Sequence, residues 1–96
     1  MTDRPRIRIV YDDERAAHIA RHCVEIEEVF EVAAGGFVRL GWREGKVAIV
    51  GPTNVGRILV VVLGPREPGV YGLVTAREAT EAERRRLYHG RRQFTL

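Results

Sequence analysis

The residues of this chain that are best suited to chemistry are cations at the ends of apolar segments. Lys46 and Arg57 each precede an apolar run, and Arg77 follows another. Guanidinium and ammonium groups bind phosphates and carboxylates. If these segments are strands of one sheet, the three cations either share a rim of that sheet or are separate surface charges. More cations follow in the next segment: Arg84, Arg85 and Arg86.

The segment 73–86 joins this arginine cluster to the start of a helix. Thr80 and Glu83 have the spacing of a capping box, in which each side chain accepts a hydrogen bond from the backbone amide of the other residue. The pattern predicts a helix that begins at Thr80, with Arg77 between it and the preceding strand. A cation fixed at a strand end suits a polyanionic ligand.

Other residue types restrict the chemistry further. The chain has no serine and a single cysteine, Cys23, which excludes an internal disulfide and a cysteine-rich zinc site. We expect Cys23 to be a small buried hydrophobe. His18 and His22 are four residues apart and share a helix face, but no third ligand accompanies them, so an exposed pair is favoured over a metal site. No metal or cofactor is expected.

The second predicted helix has an acidic side formed by Glu27, Glu28 and Glu31. Their spacing is typical of a solvated helix face. Pairing with arginines of the same chain or of a partner is the alternative.

Length and composition predict one small domain over residues 1–96. The formal net charge of +3 is a mild bias towards nucleic acid or an acidic protein. The longest apolar run, residues 58–63, is far shorter than the roughly 20 residues of a membrane span. The N-terminus lacks the apolar run of a secretory signal. The cytoplasm is therefore the expected location, without a membrane partner.

Hydrophobic periodicity predicts an α+β fold. Residues 6–11 alternate as a strand, Asp12 is a good N-cap for a short helix that ends near His22, and a second helix covers 25–34. Strands follow at 37–42, 46–50, 58–63 and 70–75, before the helix at Thr80. We expect an N-terminal strand and two helices, then a four-stranded antiparallel meander and a C-terminal helix. The helices pack on one face, and the C-terminal helix, the tail or another subunit covers the second face.

The strand and helix periods also assign individual faces. Val38, Leu40 and Trp42 are expected on one face of their strand. Arg39 then lies on the opposite face. Phe30 is expected in the buried face of the second helix.

Five ordered segments carry a pattern that spans nearly the whole chain. They are Ile9-Val10-Tyr11-Asp12, Arg21-His22-Cys23-Val24 with Glu27-Glu28, Lys46 before Ile49-Val50-Gly51, Gly56-Arg57-Ile58-Leu59-Val60-Val61-Val62, and Thr75-Ala76-Arg77 with Ala79-Thr80 and Glu83-Arg84. Together they resemble the BrnT toxin family. Its members have a RelE-like fold and are ribonuclease toxins of type II toxin-antitoxin pairs, neutralised by a small DNA-binding antitoxin. The resemblance implies this fold and activity here, with RNA and a small cognate antitoxin as partners.

The resemblance also implies roles for the matching residues. Arg77 and Lys46 are expected at the scissile phosphate, and Arg57 at a flanking phosphate. Metal-free RNA cleavage needs the 2′-hydroxyl deprotonated, the phosphorane charge stabilised and the leaving oxygen protonated. Arginine suits the second task but stays protonated, so His22 is the first candidate for proton transfer and Tyr88 the second. Further RNA contacts are expected from three arginines: Arg39, Arg84 and Arg85.

The chain departs from the family pattern at several positions. Glycine is usual where Cys23 stands, and Gly72 stands at a strand position often held by arginine. The missing cation at Gly72 favours an alternative, a catalytically inactive relative that binds RNA or an acidic protein segment through its basic sheet surface. Lys46 and Arg77 favour the enzyme. A structural homodimer without a nucleic-acid role is the third alternative.

Overall fold

The computed structural model describes the backbone of residues 7–92 and the side chains of residues 7–89. The elements are β1 Arg8–Val10, α1 Asp13–Ala20, α2 Ile26–Ala34, β2 Val38–Arg43, β3 Lys46–Pro52, β4 Ile58–Glu67, β5 Val70–Glu78 and α3 Glu81–Arg92. Arg6, which the periodicity puts in the first strand, lies outside the described residues. In this part of the chain, none of the helices is long and apolar enough to cross a membrane.

All five strands form one mixed sheet in the order β1-β5-β4-β3-β2. Strands β2 to β5 are the predicted antiparallel meander. The prediction stops at four antiparallel strands, whereas β1 joins the sheet as a fifth strand, parallel to β5, with Ile9 opposite Tyr71. A parallel pair needs a long connection, and here the helices and the rest of the meander supply it. The fold is therefore α+β with a mixed five-stranded sheet and three helices.

The sheet face that packs against α1 and α2, here called face A, holds most of the core. Ile19 of α1 and Val29 and Val32 of α2 are fully buried against it. Alternate residues of each strand point to the same face. Those on face A are Ile9, Val47, Ile49, Leu59, Val61, Leu63, Leu73 and Ala76.

The opposite face, called face B, is covered by α3 over part of its area. Leu87 of α3 is fully buried and packs with Val50, Ile58 and Val60. Of the three covers expected for the second face, the structure therefore shows the C-terminal helix. Lys46, at the far end of β3, remains exposed.

The turns follow their sequence signals. Thr80 Oγ1 accepts from the Glu83 amide (3.3 Å) and Glu83 Oε1 accepts from the Thr80 amide (2.8 Å), which is the predicted capping box. Glu44 and Gly45 both have positive φ, 53° and 73°, as a two-residue hairpin turn of type I′ requires.

Cys23 ends α1 in an unexpected conformation. Its amide donates to Ala20 O (3.0 Å) and the Val24 amide donates to Ile19 O (3.1 Å), which is the bonding pattern of a Schellman motif. Cys23 itself has φ of 61°, a left-handed conformation that favours glycine, and its side chain is exposed. The prediction of a buried hydrophobe is wrong because the end of the helix, rather than the core, determines this position.

Two aromatic side chains also differ from expectation. Phe30 is 41% exposed and contacts Tyr11 edge-to-face, with ring centroids 5.9 Å apart. In β2, a register shift between Arg39 and Gly41 interrupts the alternation of side chains between the two faces. Trp42 therefore pairs with Val47 and lies on face A. Trp42 is 59% exposed there. The bulge therefore separates Trp42 from the face that it was predicted to share with its neighbours.

Replacing Leu87 with alanine should test how firmly α3 is held on face B. We expect Leu87→Ala to lower the free energy of unfolding by about 2 to 5 kcal/mol, because the change opens a cavity in a closed contact. Urea denaturation measures the loss. Val55, which is 89% exposed, is the matched control, and Val55→Ala should change stability by no more than about 0.5 kcal/mol. A Leu87→Ala loss as small as that of the control would contradict the packing.

Replacing Cys23 with glycine should stabilise the protein. Glycine removes the cost of a side chain at φ of 61°, and we expect a gain of about 0.5 to 1 kcal/mol after its greater freedom in the unfolded chain is subtracted. For a chain of this size, that gain raises Tm by a few degrees. Cys23→Ala keeps the strain and should give no gain; equal gains from both variants would point to the thiol instead.

Candidate nucleic-acid interface

The half of face B that α3 leaves open carries a row of cations and glycines. Gly64 pairs with Gly72, next to the buried pair of Leu63 and Leu73 on face A. Because neighbouring residues of a strand point to opposite faces, both glycines belong to face B. Continuing the register from Val47 puts Lys46 opposite Gly64. Arg43 pairs with Lys46 on the outer strand. We call this row, Arg43, Lys46, Gly64 and Gly72, the open row.

The surface around the open row combines small residues with two valines, Val62 and Val74. Gly41 pairs with Ala48 on the same face, and a Cβ added to Gly41 would meet no atom within 4 Å. A Cβ added to Gly64 would meet only Val74 Cγ2, at 3.7 Å. A ligand backbone can therefore approach this part of the sheet closely, between exposed cations.

Arg77 also lies on face B, at the edge of α3. It belongs to β5 and pairs with Val60, so the strand continues beyond the predicted end at residue 75. Arg77 Nη1 and Nη2 donate to Glu83 Oε1 and Oε2, both at 2.8 Å. Because Glu83 is also the capping residue of α3, one carboxylate connects the strand, the helix start and the cation.

This double contact changes the titration of both groups. The hydrogen bond from Arg77, helped by the Thr80 amide, lowers the pKa of Glu83 to about 2. The hydrogen bond to Glu83 raises the pKa of Arg77 above its ordinary value. Near neutral pH, Glu83 is therefore an anion that positions Arg77, and its low pKa makes it a poor general base.

Arg77 keeps two N–H donors for a ligand. A guanidinium has five N–H donors. Nη1 donates to Glu78 O (3.2 Å) and Glu83, and Nη2 donates once to Glu83. The Nε–H and the second Nη2–H remain on one edge of the group, and within the described part of the chain no acceptor is bonded to them. That edge can bind two phosphate oxygens while the other holds Glu83.

Arg57 is held more completely by carboxylates. Its Nη1 donates to both oxygens of Glu28 (3.0 and 3.1 Å), and its Nε lies 3.7 Å from Glu78 Oε2. A bond from the Glu25 amide, together with Arg57, lowers the pKa of Glu28. Glu31 accepts from the backbone of the β3-β4 loop (2.9 Å). The prediction of a solvated acidic face is therefore wrong for Glu28 and Glu31. The alternative, pairing with an arginine of the same chain, is confirmed for Glu28.

Lys46 and Arg77 share face B but lie well apart. Arg77 is level with Val60 and Val50 across the sheet. Four residues along β3 and two strand spacings separate the Lys46 and Arg77 Cα atoms by about 16 Å. Arg57 lies at the end of the sheet near Arg77. The rim proposed for all three cations is therefore divided between two regions of the sheet.

The two candidates for proton transfer lie on different sides of the sheet. His22 follows α1, the helix of face A, and its ring is 5.3 Å from that of His18. His18 is half-buried, with Nε2 3.1 Å from Thr75 Oγ1, so the expected exposed pair holds for His22 alone. Tyr88 belongs to α3, the helix of face B, and is 55% exposed. The structure therefore separates His22 from the face that carries Lys46.

The remaining predicted RNA-binding arginines also divide between the faces. Arg39 pairs with Ile49 of the core and lies on face A, away from the open row. Arg84 and Arg85 are exposed on α3. The neighbouring Arg86 donates to Leu40 O of the outer strand (3.2 Å) and helps to hold α3 across the sheet.

Two shallow depressions among the described residues lie away from the open row. The larger, about 420 Å³, is lined by Ala20, Cys23, Val24, Glu25, Glu28 and Arg57. No three His, Cys, Asp or Glu side chains of the described residues are grouped as metal ligands would be. The exposed Arg43 and Lys46, and the open space above Gly41, make this part of face B suited to an extended ligand.

Sequence reasoning missed three contributors to this surface. The sequence analysis assigns no role to Arg43 or Arg66, and it identifies Glu83 only as a helix cap. The signal for Arg43 is available in the sequence, because a two-residue turn at Glu44 and Gly45 makes Arg43 the direct partner of Lys46. The contacts of Glu83 and Arg66 depend on the folded arrangement.

Fold and site together define a small α+β protein with a mixed five-stranded sheet and an open, cation-bearing half-face. This chain is similar to the crystal structure of the Brucella abortus ribonuclease toxin BrnT, with a TM-score of 0.63 and 19% sequence identity over 78% of this chain and 99% of that chain. The predicted BrnT-like fold is thereby confirmed. No protein-family profile matches the chain, and no curated protein matches it.

The pairing of Glu83 with Arg77 predicts a pH-dependent contribution to stability. Glu83 has a folded pKa of about 2 against an ordinary value of 4.5, so the contribution is complete above pH 4.5 and disappears as pH falls towards 2. Glutamine can keep the cap but not the charge. Because 44% of the Arg77 side chain is exposed, we expect Glu83→Gln to cost only about 1 kcal/mol at pH 7.

Urea denaturation of both proteins at pH 7, 4 and 2.5 tests this linkage. The difference in unfolding free energy should shrink steadily as the pH falls. Glu81→Gln removes the same charge from the same turn of α3 and is the matched control, with a much smaller difference at pH 7. A wild-type advantage over Glu83→Gln that is constant from pH 7 to pH 2.5 would rule out the ion pair as its source.

Proposed function

We propose that this protein is a toxin-like endoribonuclease that binds RNA along face B and cleaves it without a metal ion. The single observation that best supports the proposal is the open half of face B, where exposed Arg43 and Lys46 border a surface of small residues. Its net charge of +3 agrees with a polyanionic ligand. The fold that it shares with a ribonuclease toxin makes RNA cleavage the first activity to test.

The contacts of Arg77 suit stabilisation of the phosphorane charge. Glu83 fixes the guanidinium in one orientation, and the free Nε–H and Nη2–H edge is available to two phosphate oxygens. A donor that is already oriented needs no rearrangement as charge develops. We therefore assign the scissile phosphate to Arg77. Lys46, about 16 Å away, then binds a different phosphate of the same strand, in place of the shared site that the resemblance implies.

Tyr88 becomes the preferred candidate for proton transfer. It is exposed on the helix of face B, whereas His22 follows the helix of face A. A phenol hydroxyl can donate a proton to the leaving oxygen. Arg57 is engaged by Glu28 and Glu78, so its proposed contact with a flanking phosphate requires the ligand to compete with these carboxylates. Arg84 and Arg85 on α3 supply further charge near the same face.

A second candidate function is a catalytically inactive module that binds RNA or an acidic protein segment. The pairing of Arg57 and Arg77 with carboxylates favours it, because an acidic segment can replace these internal partners in the same geometry. Expression of the chain alone and with a neighbouring small reading frame distinguishes the two. Growth arrest that co-expression relieves supports a toxin with a cognate antitoxin, whereas normal growth at high expression favours the binding module.

Alanine at Arg77 should remove the proposed activity. Purified protein is incubated with total RNA in the presence of chelator, which excludes contaminating metal-dependent nucleases. We expect Arg77→Ala to reduce cleavage at least about a hundredfold, in line with the loss of one oriented donor to a developing anion. The same variant should no longer arrest growth. Unchanged toxicity of Arg77→Ala would overturn the assignment.

The Arg77→Ala variant also loses its ion pair with Glu83, so two comparisons are needed. Glu83→Gln breaks the same pair but keeps the cation, and it should retain more activity than Arg77→Ala at equal folded fraction. Arg21→Ala removes one exposed arginine beyond α1, the helix of face A, and should cleave as the unmodified protein does. Equal losses in Arg77→Ala and Glu83→Gln at equal folded fraction would show that the intact ion pair, rather than the charge of Arg77 alone, controls the rate.

A further inference from the structure

Arg66 lies over a glycine of the open row. A Cβ built on Gly72 would meet Arg66 Nε at 2.6 Å, Nη2 at 2.8 Å and Cζ at 3.0 Å. Real Cβ atoms essentially never lie within 3.0 Å of another heavy atom, so the guanidinium occupies the space that any other side chain at position 72 would fill. Gly72 is buried although it lies in the open half of face B, which agrees with a side chain resting on it.

This position brings a third cation to the open row. Gly72 pairs with Gly64, and Lys46 lies opposite Gly64 on the other side. Two strand spacings, about 10 Å, therefore separate the Lys46 Cα from the Gly72 Cα beneath the guanidinium. Gly64, between them, carries no side chain, and the nearest side-chain atom to a Cβ built there is Val74 Cγ2, at 3.7 Å.

The three cations of this row lack the carboxylate partners that hold Arg57 and Arg77. Among residues 7–89, ion pairs form at Arg57 and Arg77, and none forms at Arg43, Lys46 or Arg66. Contact with a strand limits the conformations of this guanidinium, so less entropy is lost when it binds an anion than for a free surface arginine. Its Nε and Nη2 atoms lie nearest Gly72, and the N–H donors that point away from the strand suit the oxygens of a phosphate.

We propose that Arg66 is a phosphate-binding residue of the RNA site and that Gly72 positions it. The ligand is the sugar-phosphate backbone of single-stranded RNA, with one phosphate on Arg66 and Lys46 contacting the strand beyond Gly64. Gly72 acts by having no side chain: it provides the surface on which the guanidinium rests. This inference deepens the proposed function and rests on it for the choice of RNA as ligand.

Binding of a fluorescent 2′-O-methyl RNA 12-mer tests the proposal without cleavage, since the blocked 2′-oxygen cannot attack. We expect Arg66→Ala to weaken binding about tenfold at moderate salt, the loss of one hydrogen-bonded charge. The slope of log K against log salt should fall by about 0.7, the value for one phosphate on a single strand. Arg21→Ala is the control, with the same change in net charge beyond the helix of face A.

The role of Gly72 is tested by a double-mutant cycle. Gly72→Ala should weaken binding nearly as much as Arg66→Ala, because its Cβ displaces the guanidinium, and the double variant should be no weaker than Arg66→Ala alone. Gly72→Arg in the Arg66→Ala background returns a cation to the same place and should restore affinity and salt slope. Additive losses, or no loss in Gly72→Ala, would overturn the positioning role.

The outcomes separate this inference from the proposed function. If the unmodified protein binds the 12-mer and Arg66→Ala binds equally well, Arg66 is not a phosphate ligand, and the ribonuclease proposal is unaffected. If the protein fails to cleave RNA but Arg66→Ala loses affinity and slope as expected, the phosphate site stands and cleavage falls. If the unmodified protein cleaves total RNA but does not bind the 12-mer, the Arg66 site is overturned and the ribonuclease proposal stands. If it neither binds the 12-mer nor cleaves total RNA, both are overturned.

Discussion

The carboxylate of Glu83 is the contact on which the arrangement of face B depends. It accepts from the Thr80 amide, which fixes where α3 begins, and it binds Arg77, which belongs to the last strand. Helix start and strand end are therefore fastened by one group. Leu87 follows Glu83 by four residues, so the same helix face that carries this contact packs into the core.

The way in which α3 is fastened explains why face B is only half covered. The helix starts at the end of β5 and crosses to β2, where Arg86 bonds to Leu40 O, and its buried contact is with one part of the sheet. The remaining part would expose an apolar surface if it were lined by large residues. It is lined instead by Gly41, Ala48 and Gly64 beside Val62 and Val74, with charges at its ends. Such a surface is stable in water and accessible to a polyanion.

Sequence patterns predicted the features that depend on neighbouring residues. They did not predict features that depend on contacts between residues far apart in the chain. The meander and the capping box at Thr80 follow from period and local hydrogen bonding, and both are confirmed. The parallel pairing of β1 joins residues some sixty positions apart, and no local pattern encodes it. The prediction for Cys23 failed because its small apolar side chain suggests burial, whereas its left-handed backbone conformation follows the end of a helix. The bulge that turns Trp42 to face A likewise leaves no periodic signal.

Gly72 shows most clearly how a site can be misjudged from strand positions alone. In sequence it is a strand residue without charge, and it therefore counts against a phosphate-binding surface. In space, the absence of a side chain at Gly72 is what admits the guanidinium of Arg66. The attraction between a phosphate and a cation depends on the distance between them, whichever strand carries the cation. The charge of the open half of face B therefore depends on which cationic side chains can reach it. Gly72 contributes to that charge by leaving space for the Arg66 guanidinium.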